Sequence, residues 1–97
     1  MEHFIGIDVS KDRLDVHLRP SGESFTVARD GEGLAALVER LRALAPALVV
    51  MEATGGYETV VASALGAAHL PLAVVNPRQI RPPAGIPLYL SIVAAPR

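Results

Sequence analysis

The sequence predicts an α/β fold built on one mixed sheet: a three-stranded antiparallel meander first, then helix, strand, helix, strand. Three observations predict it. Two alternating segments flank the turn-forming Pro20-Ser21-Gly22-Glu23. A stripe of leucines recurs at helical spacing from Leu34 to Leu44. Two short apolar runs, residues 47 to 51 and 71 to 75, lie on either side of a second helical stretch. Short buried strands alternating with helices call for parallel pairing, because each helical crossover lies over the sheet.

Residues 3 to 9 form the first strand: Phe4, Ile5, Ile7 and Val9 are apolar, with Gly6 among them. Leu14-Asp15-Val16-His17-Leu18 alternates apolar and polar, the period of a half-buried strand. Proline, serine and glycine at 20 to 22 turn the chain. Residues 24 to 29 return as a third strand with Phe25 and Val27 on one face. Asp30 offers an N-cap oxygen to the first helix. Its apolar stripe is Leu34, Leu37, Val38, Leu41 and Leu44, and Glu39, Arg40 and Arg42 fall off it. Pro46 stops it. The apolar residues 47 to 51 make a fully buried strand closed by Glu52. Thr54-Gly55-Gly56 breaks the chain before a second helix, which should turn Tyr57, Val60, Val61, Ala64, Leu65 and Ala68 inward. Residues 71 to 75 form the last buried strand, and Asn76-Pro77 can open a helix through Arg78, Gln79 and Ile80. Pro82-Pro83 blocks that helix. The expected domain therefore spans residues 1–81, and residues 82–97 form a divergent, proline-dotted tail without clear period.

A chain of 97 residues holds one small domain, and 51% hydrophobic residues suffice for its core. The absence of cysteine excludes a disulfide framework and a thiolate metal site, and it fits a reducing cytoplasm. Met1-Glu2-His3 lacks the basic-then-apolar pattern of a signal peptide. No apolar run reaches the roughly 18 residues of a membrane span. A cytoplasmic protein with no membrane partner is expected. The net charge of −1 gives no overall support for binding a polyanion. Its distribution is uneven, however. All ten carboxylates lie at or before Glu58, and beyond it only Arg78, Arg81 and Arg97 are charged.

Asp8 stands inside the apolar run from Phe4 to Val9, and Glu52 directly follows Leu48-Val49-Val50-Met51. An ionised carboxylate is costly to bury without a partner. In the predicted sheet the first and fourth strands are parallel neighbours, so the ends bearing the two acids come together. Two close carboxylates repel unless a cation lies between them, which is the arrangement of a Mg²⁺ or Mn²⁺ site for phosphodiester chemistry. The plainer alternative is that Asp8 caps the turn Ser10-Lys11-Asp12. The N–H groups after Thr54 could bind a phosphate at the helix start, or Gly55 and Gly56 could simply make the turn. Arg78 and Arg81 could contact a nucleic-acid backbone, or end a solvated helix. Asp12 and Asp15 read as solvated hairpin residues. His3, His17 and His69 lack metal-ligand spacing.

Three motifs occur in order. They are Ile5-Gly6-Ile7-Asp8-Val9-Ser10-Lys11, Val50-Met51-Glu52-Ala53-Thr54-Gly55-Gly56-Tyr57-Glu58 and Val74-Val75-Asn76-Pro77-Arg78-Gln79-Ile80-Arg81. Together they closely resemble the N-terminal domain of the DEDD transposases of the insertion-sequence type 110 family, over about residues 4 to 81. The resemblance implies a ribonuclease H-like fold, similar to a Holliday-junction resolvase, in which four acids bind Mg²⁺ or Mn²⁺. Asp8 would be the first acid and Glu52 the second. It also implies DNA as substrate, a structured guide RNA as partner, and a C-terminal domain supplying a nucleophilic serine. Lys11, Thr54, Arg78 and Arg81, within the shared motifs, become the expected nucleic-acid contacts. The family continues past the third motif to a Lys-Thr-Asp segment and a further Asp. Here Pro82-Pro83 follows Arg81, no acid lies beyond Glu58, and Ser91 lacks the context of the family nucleophile. The expectation is a transposase fragment, cut short or frameshifted after residue 81 and inactive in strand cleavage by itself. Its rivals are a non-catalytic module that pairs with nucleic acid, a full-length transposase or itself, and a gene remnant without function. An actin-like kinase fragment shares the element order but needs a glycine-rich phosphate loop where Ser10-Lys11-Asp12-Arg13 stands.

Overall fold

Strand pairing over long sequence separation defines this fold. The computed structural model describes residues 2–52 and 55–75. Thr54, Arg78, Arg81, the helix expected from Asn76 and the tail 82–97 lie outside the described residues. The elements are β1 (Phe4–Val9), β2 (Arg13–Arg19), β3 (Ser24–Ala28), α1 (Gly31–Leu44), β4 (Leu48–Glu52), α2 (Glu58–Ala67) and β5 (Leu72–Val75). They form one sheet in the order β3-β2-β1-β4-β5. The first three strands pair antiparallel through tight turns. β1–β4 and β4–β5 pair parallel. Parallel neighbours need long crossovers, and α1 and α2 supply them.

One face of the sheet carries the core. Ile5, Ile7 and Val9 of β1, Leu14, Val16 and Leu18 of β2, and Val49 and Met51 of β4 pack with Leu34, Leu37 and Leu41 of α1 and with Val61 and Leu65 of α2. These are the alternate residues of each strand, as the period of two requires. The remaining residues face the other way. There Val50 is fully buried among Phe4, Leu48 and Val75, a small second cluster.

α1 is fixed at both ends. The Asp30 side chain accepts from the Gly33 N–H at 2.8 Å and so satisfies one of the free donors of the first turn. Glu32 in the first turn and Arg42 in the last suit the helix dipole. Ala45 closes the helix in the left-handed conformation, its N–H returning to Leu41 and Arg42, and Pro46 follows. Gly33 lies against the Ala28 carbonyl, where a Cβ would overlap the backbone oxygen.

α2 departs from expectation. Val61 and Leu65 are buried, but Val60 is 43% and Tyr57 41% exposed. This helix is apolar on nearly every side, so its pattern leaves the roll angle open. It settles on the stripe through Val61 and Leu65, which leaves Val60 on the flank and Tyr57 ahead of the first turn. Among the described residues no helix is long and apolar enough to cross a membrane.

Candidate metal centre

Asp8 and Glu52 come together through strand register. β1 and β4 pair from Phe4↔Leu48 to Ile7↔Met51, and one further step sets Asp8 beside Glu52. Both belong to the alternate set opposite the helices, because Ile7, Val9 and Met51 face the core. Adjacent strands lie about 4.8 Å apart, so two acids on one face at this register are direct neighbours. Asp8 is exposed and Glu52 half-buried. Burial, and then the negative charge of Asp8, raise the Glu52 carboxyl above its ordinary value. That electrostatic contact is the energetic trace of their proximity.

A third acid adjoins them without joining them. β1–β2 pairing sets Asp15 opposite Asp8 on its other side. Asp15 accepts from the Thr26 hydroxyl at 2.8 Å and lies 3.6 Å from the Arg13 guanidinium. It is therefore half-buried and engaged toward β3, not simply solvated as its hairpin position suggested. Asp12, in the turn itself, is exposed as expected. Among the described residues no three His, Asp or Glu side chains are grouped closely enough to hold a metal ion. Asp8, Asp15, His17, Ser24, Phe25 and Thr26 line a shallow groove of about 340 Å³ on this side of the sheet.

The turn after β1 is closed by Ser10. Its N–H and its hydroxyl both donate to the Arg13 carbonyl, at 3.0 and 2.9 Å. Among the described residues no hydrogen bond ties Asp8 to that turn, so the turn does not explain the acid. Lys11 projects from it, exposed. On the far side of the pair, Gly55 (φ 66°) and Gly56 (φ 102°) take left-handed conformations that a Cβ would strain. The Gly56 N–H donates to the Glu58 carboxylate at 3.0 Å. The two glycines thus stand ahead of α2, and the Gly56 N–H is engaged by Glu58.

Arg29 ties the two sides together. Its Nε donates to the Lys11 carbonyl at 2.7 Å and its backbone N–H to the Asp12 carbonyl at 3.0 Å. Its guanidinium carbon lies 5.0 Å from the centre of the Tyr57 ring. Sequence reasoning does not single out Arg29, since nothing local marks an arginine at a strand end. Tyr57 carried a signal, a lone aromatic after two glycines, which the helical pattern assigned to the core instead.

The pair fits a divalent cation by its chemistry. Mg²⁺ and Mn²⁺ prefer hard oxygen donors, and Mg²⁺ commonly takes one or two carboxylates and keeps several waters or phosphates. Two adjacent carboxylates, of which Glu52 is held above its ordinary pKa by burial and by the charge of Asp8, supply that donor set, and a cation would relieve their repulsion.

Residues 5–85 match the family model of the DEDD transposases of insertion-sequence type 110, described as a transposase. No curated protein matches the chain. Among solved structures, Thermus thermophilus RuvC superposes with a TM-score of 0.57 at 20% identity, covering 79% of this chain and 63% of that one. T. thermophilus RuvC in complex with a Holliday junction substrate gives 0.58 at 17% identity, covering 81% of this chain and 67% of that one. The chain thus spans about 63% of the first RuvC chain's length. At such identities the likeness establishes the ribonuclease H-like fold and nothing finer. The three motifs, the sheet order and the match over residues 5–85 agree: the chain belongs to the DEDD transposase family of insertion-sequence type 110.

Proposed function

We propose that Asp8 and Glu52 are two ligands of a Mg²⁺ or Mn²⁺ site for phosphodiester chemistry on DNA. We further propose that this chain, a piece of the transposase machinery, binds nucleic acid but does not cut it unaided. The observation that carries the reading is the register that makes the two acids neighbours, together with the raised Glu52 carboxyl. The family match supports a DNA substrate. The likeness to a resolvase seen with a Holliday junction makes a branched DNA the natural first ligand to try.

When bound, the cation would polarise a phosphoryl oxygen and lower the pKa of an attacking water. The chain's own contribution is placement. β4 holds Glu52 in a half-buried position of fixed orientation, while exposed Asp8 stands at the edge of the groove, open to a strand lying along the sheet. Glu52 must be ionised to serve as a ligand, so its raised pKa makes metal affinity fall as the solution is acidified. Two carboxylates alone hold Mg²⁺ weakly. No acid beyond Glu58 is present to strengthen the set. Lys11, Thr54, Arg78 and Arg81 remain the proposed backbone contacts, and a guide RNA or an intact transposase the proposed further partners.

Two measurements on the purified 97-residue chain test this. Free Mn²⁺, followed by electron paramagnetic resonance, should fall on adding protein, and this binding should be lost in Asp8→Asn and in Glu52→Gln. Unchanged binding in both variants refutes the metal site. A labelled four-way junction with Mn²⁺ should be bound and left intact. Mn²⁺-dependent nicks that disappear with Asp8→Asn would show that the chain is a nuclease on its own.

A further inference from the structure

We propose that Tyr57, held by Arg29 beside the Lys11 turn, is a stacking platform for an unpaired nucleotide at the end of the sheet that carries the Asp8–Glu52 pair. The inference rests on the nucleic-acid reading above and adds a site to it. The starting point is an aromatic ring that the fold does not use as core. Its helical phase suits burial, yet Tyr57 is 41% exposed, while Val61 and Leu65 are fully buried. The ring is held from one side by the Arg29 guanidinium at 5.0 Å. Arg29 is in turn anchored to the carbonyl of Lys11 through Nε. The ring is therefore positioned before any ligand arrives, and its remaining exposed surface faces solvent.

The location follows from topology. β1 and β4 are parallel, so their carboxyl ends lie at the same end of the sheet. One leads from Asp8 into the Lys11 turn, the other from Glu52 to Tyr57, and Arg29 bridges them. The surface thus joins a π face, a guanidinium and an exposed ammonium at the end of the sheet where β1 and β4 carry their two acids. Every nucleobase offers a π face to a tyrosine, and its phosphate suits Lys11 and the other N–H groups of Arg29. A base within a duplex is stacked on both sides and has no face to offer, so the ligand is an unpaired strand. DNA and RNA share that chemistry.

The test uses the full chain in EDTA, which removes any metal contribution. The chain has two tyrosines and no tryptophan, so in a Tyr89→Phe background the intrinsic emission reports Tyr57 alone. A single-stranded oligonucleotide, offered as DNA and as RNA, should quench that emission saturably, and a blunt duplex of the same sequence should not. A response to only one of the two strands identifies which one the platform takes and supports it equally. By anisotropy of a labelled oligonucleotide, Tyr57→Ala should lose about 5- to 100-fold in affinity, while Tyr57→Phe stays near the parent. Lys11→Ala should lower the slope of log affinity against log salt by about one. Circular dichroism confirms that each variant is folded. Equal affinity in Tyr57→Ala, or binding without quenching, overturns the platform. Because no metal is present, that failure is separate from failure of the Mn²⁺ binding test, and either can occur alone.

Discussion

Replacing Asp8 with Asn should stabilise the metal-free protein and destabilise it relative to the parent once a divalent cation is added. The acids are lateral neighbours on strands about 4.8 Å apart. Two unit charges about 5 Å apart in water repel by roughly 0.8 kcal/mol. Asp8 is exposed, so the aqueous value applies, and salt reduces it to about 0.5 kcal/mol. For a domain of this size the range of about 0.5–0.8 kcal/mol is a rise of about 2–6 °C in Tm in EDTA, the upper end at low salt. The pH dependence has a definite sign. The folded protein holds the Glu52 proton more tightly than the unfolded chain, so this group's contribution to stability falls as pH rises from the ordinary 4.5 through the raised value. The advantage of Asp8→Asn should therefore shrink as pH is lowered through that window, because protonated Glu52 no longer repels Asp8. A cation reverses the order. With a dissociation constant on the order of 1 mM, 10 mM Mn²⁺ would stabilise the parent by about 1.4 kcal/mol and the variant hardly at all. Thermal melts by circular dichroism, with EDTA and with Mn²⁺, give all four values. A variant no more stable than the parent in EDTA refutes the repulsion. The same ranking in both buffers refutes the shared cation.

Four other substitutions probe the frame that holds the pair. Leu37→Ala empties a fully buried position between α1 and the sheet and should cost about 2–5 kcal/mol, seen as a large drop in urea midpoint; a loss under 1 kcal/mol contradicts the described core. Asp30→Ala removes the cap to Gly33 and should cost about 1 kcal/mol, while Gly33→Ala should cost more, about 1–3 kcal/mol, by forcing a methyl against the Ala28 carbonyl. The reverse ranking would mean that α1 does not approach β3 so closely. Val60→Lys should change stability by no more than about 0.5 kcal/mol, since Val60 is on the exposed flank of α2, and a loss of 2 kcal/mol would restore it to the core.

The parts legible in the sequence were those where one local rule acts alone. Asp30 could only be an N-cap, the leucines of α1 left a single face to bury, and Leu14 to Leu18 alternated without exception. The neighbourhood of Asp8 and Glu52 followed from these, because parallel strands that end in acids align them. What the sequence concealed depends on tertiary fit. α2 is too uniformly apolar to state its own roll, so Val60 and Tyr57 were misplaced. Asp15 looked solvated because its partner Thr26 is known only once β3 is in register. Arg29 became visible only when the Lys11 turn and Tyr57 were brought within its reach.

The seam between β1 and β4 has one more consequence. To its left lies a meander of local hairpins; to its right lies a parallel pair that needs both helices in place. Neither half contains both acids. The site therefore exists only while the two halves are zipped, and anything that opens the seam dismantles it without unfolding either hairpin. Conversely, a cation gripped by both carboxylates acts as a clasp across the zip, so the amides that donate across the seam near Ile7, and not that of Met51, which is turned toward β5, should be the ones whose hydrogen exchange slows when it binds.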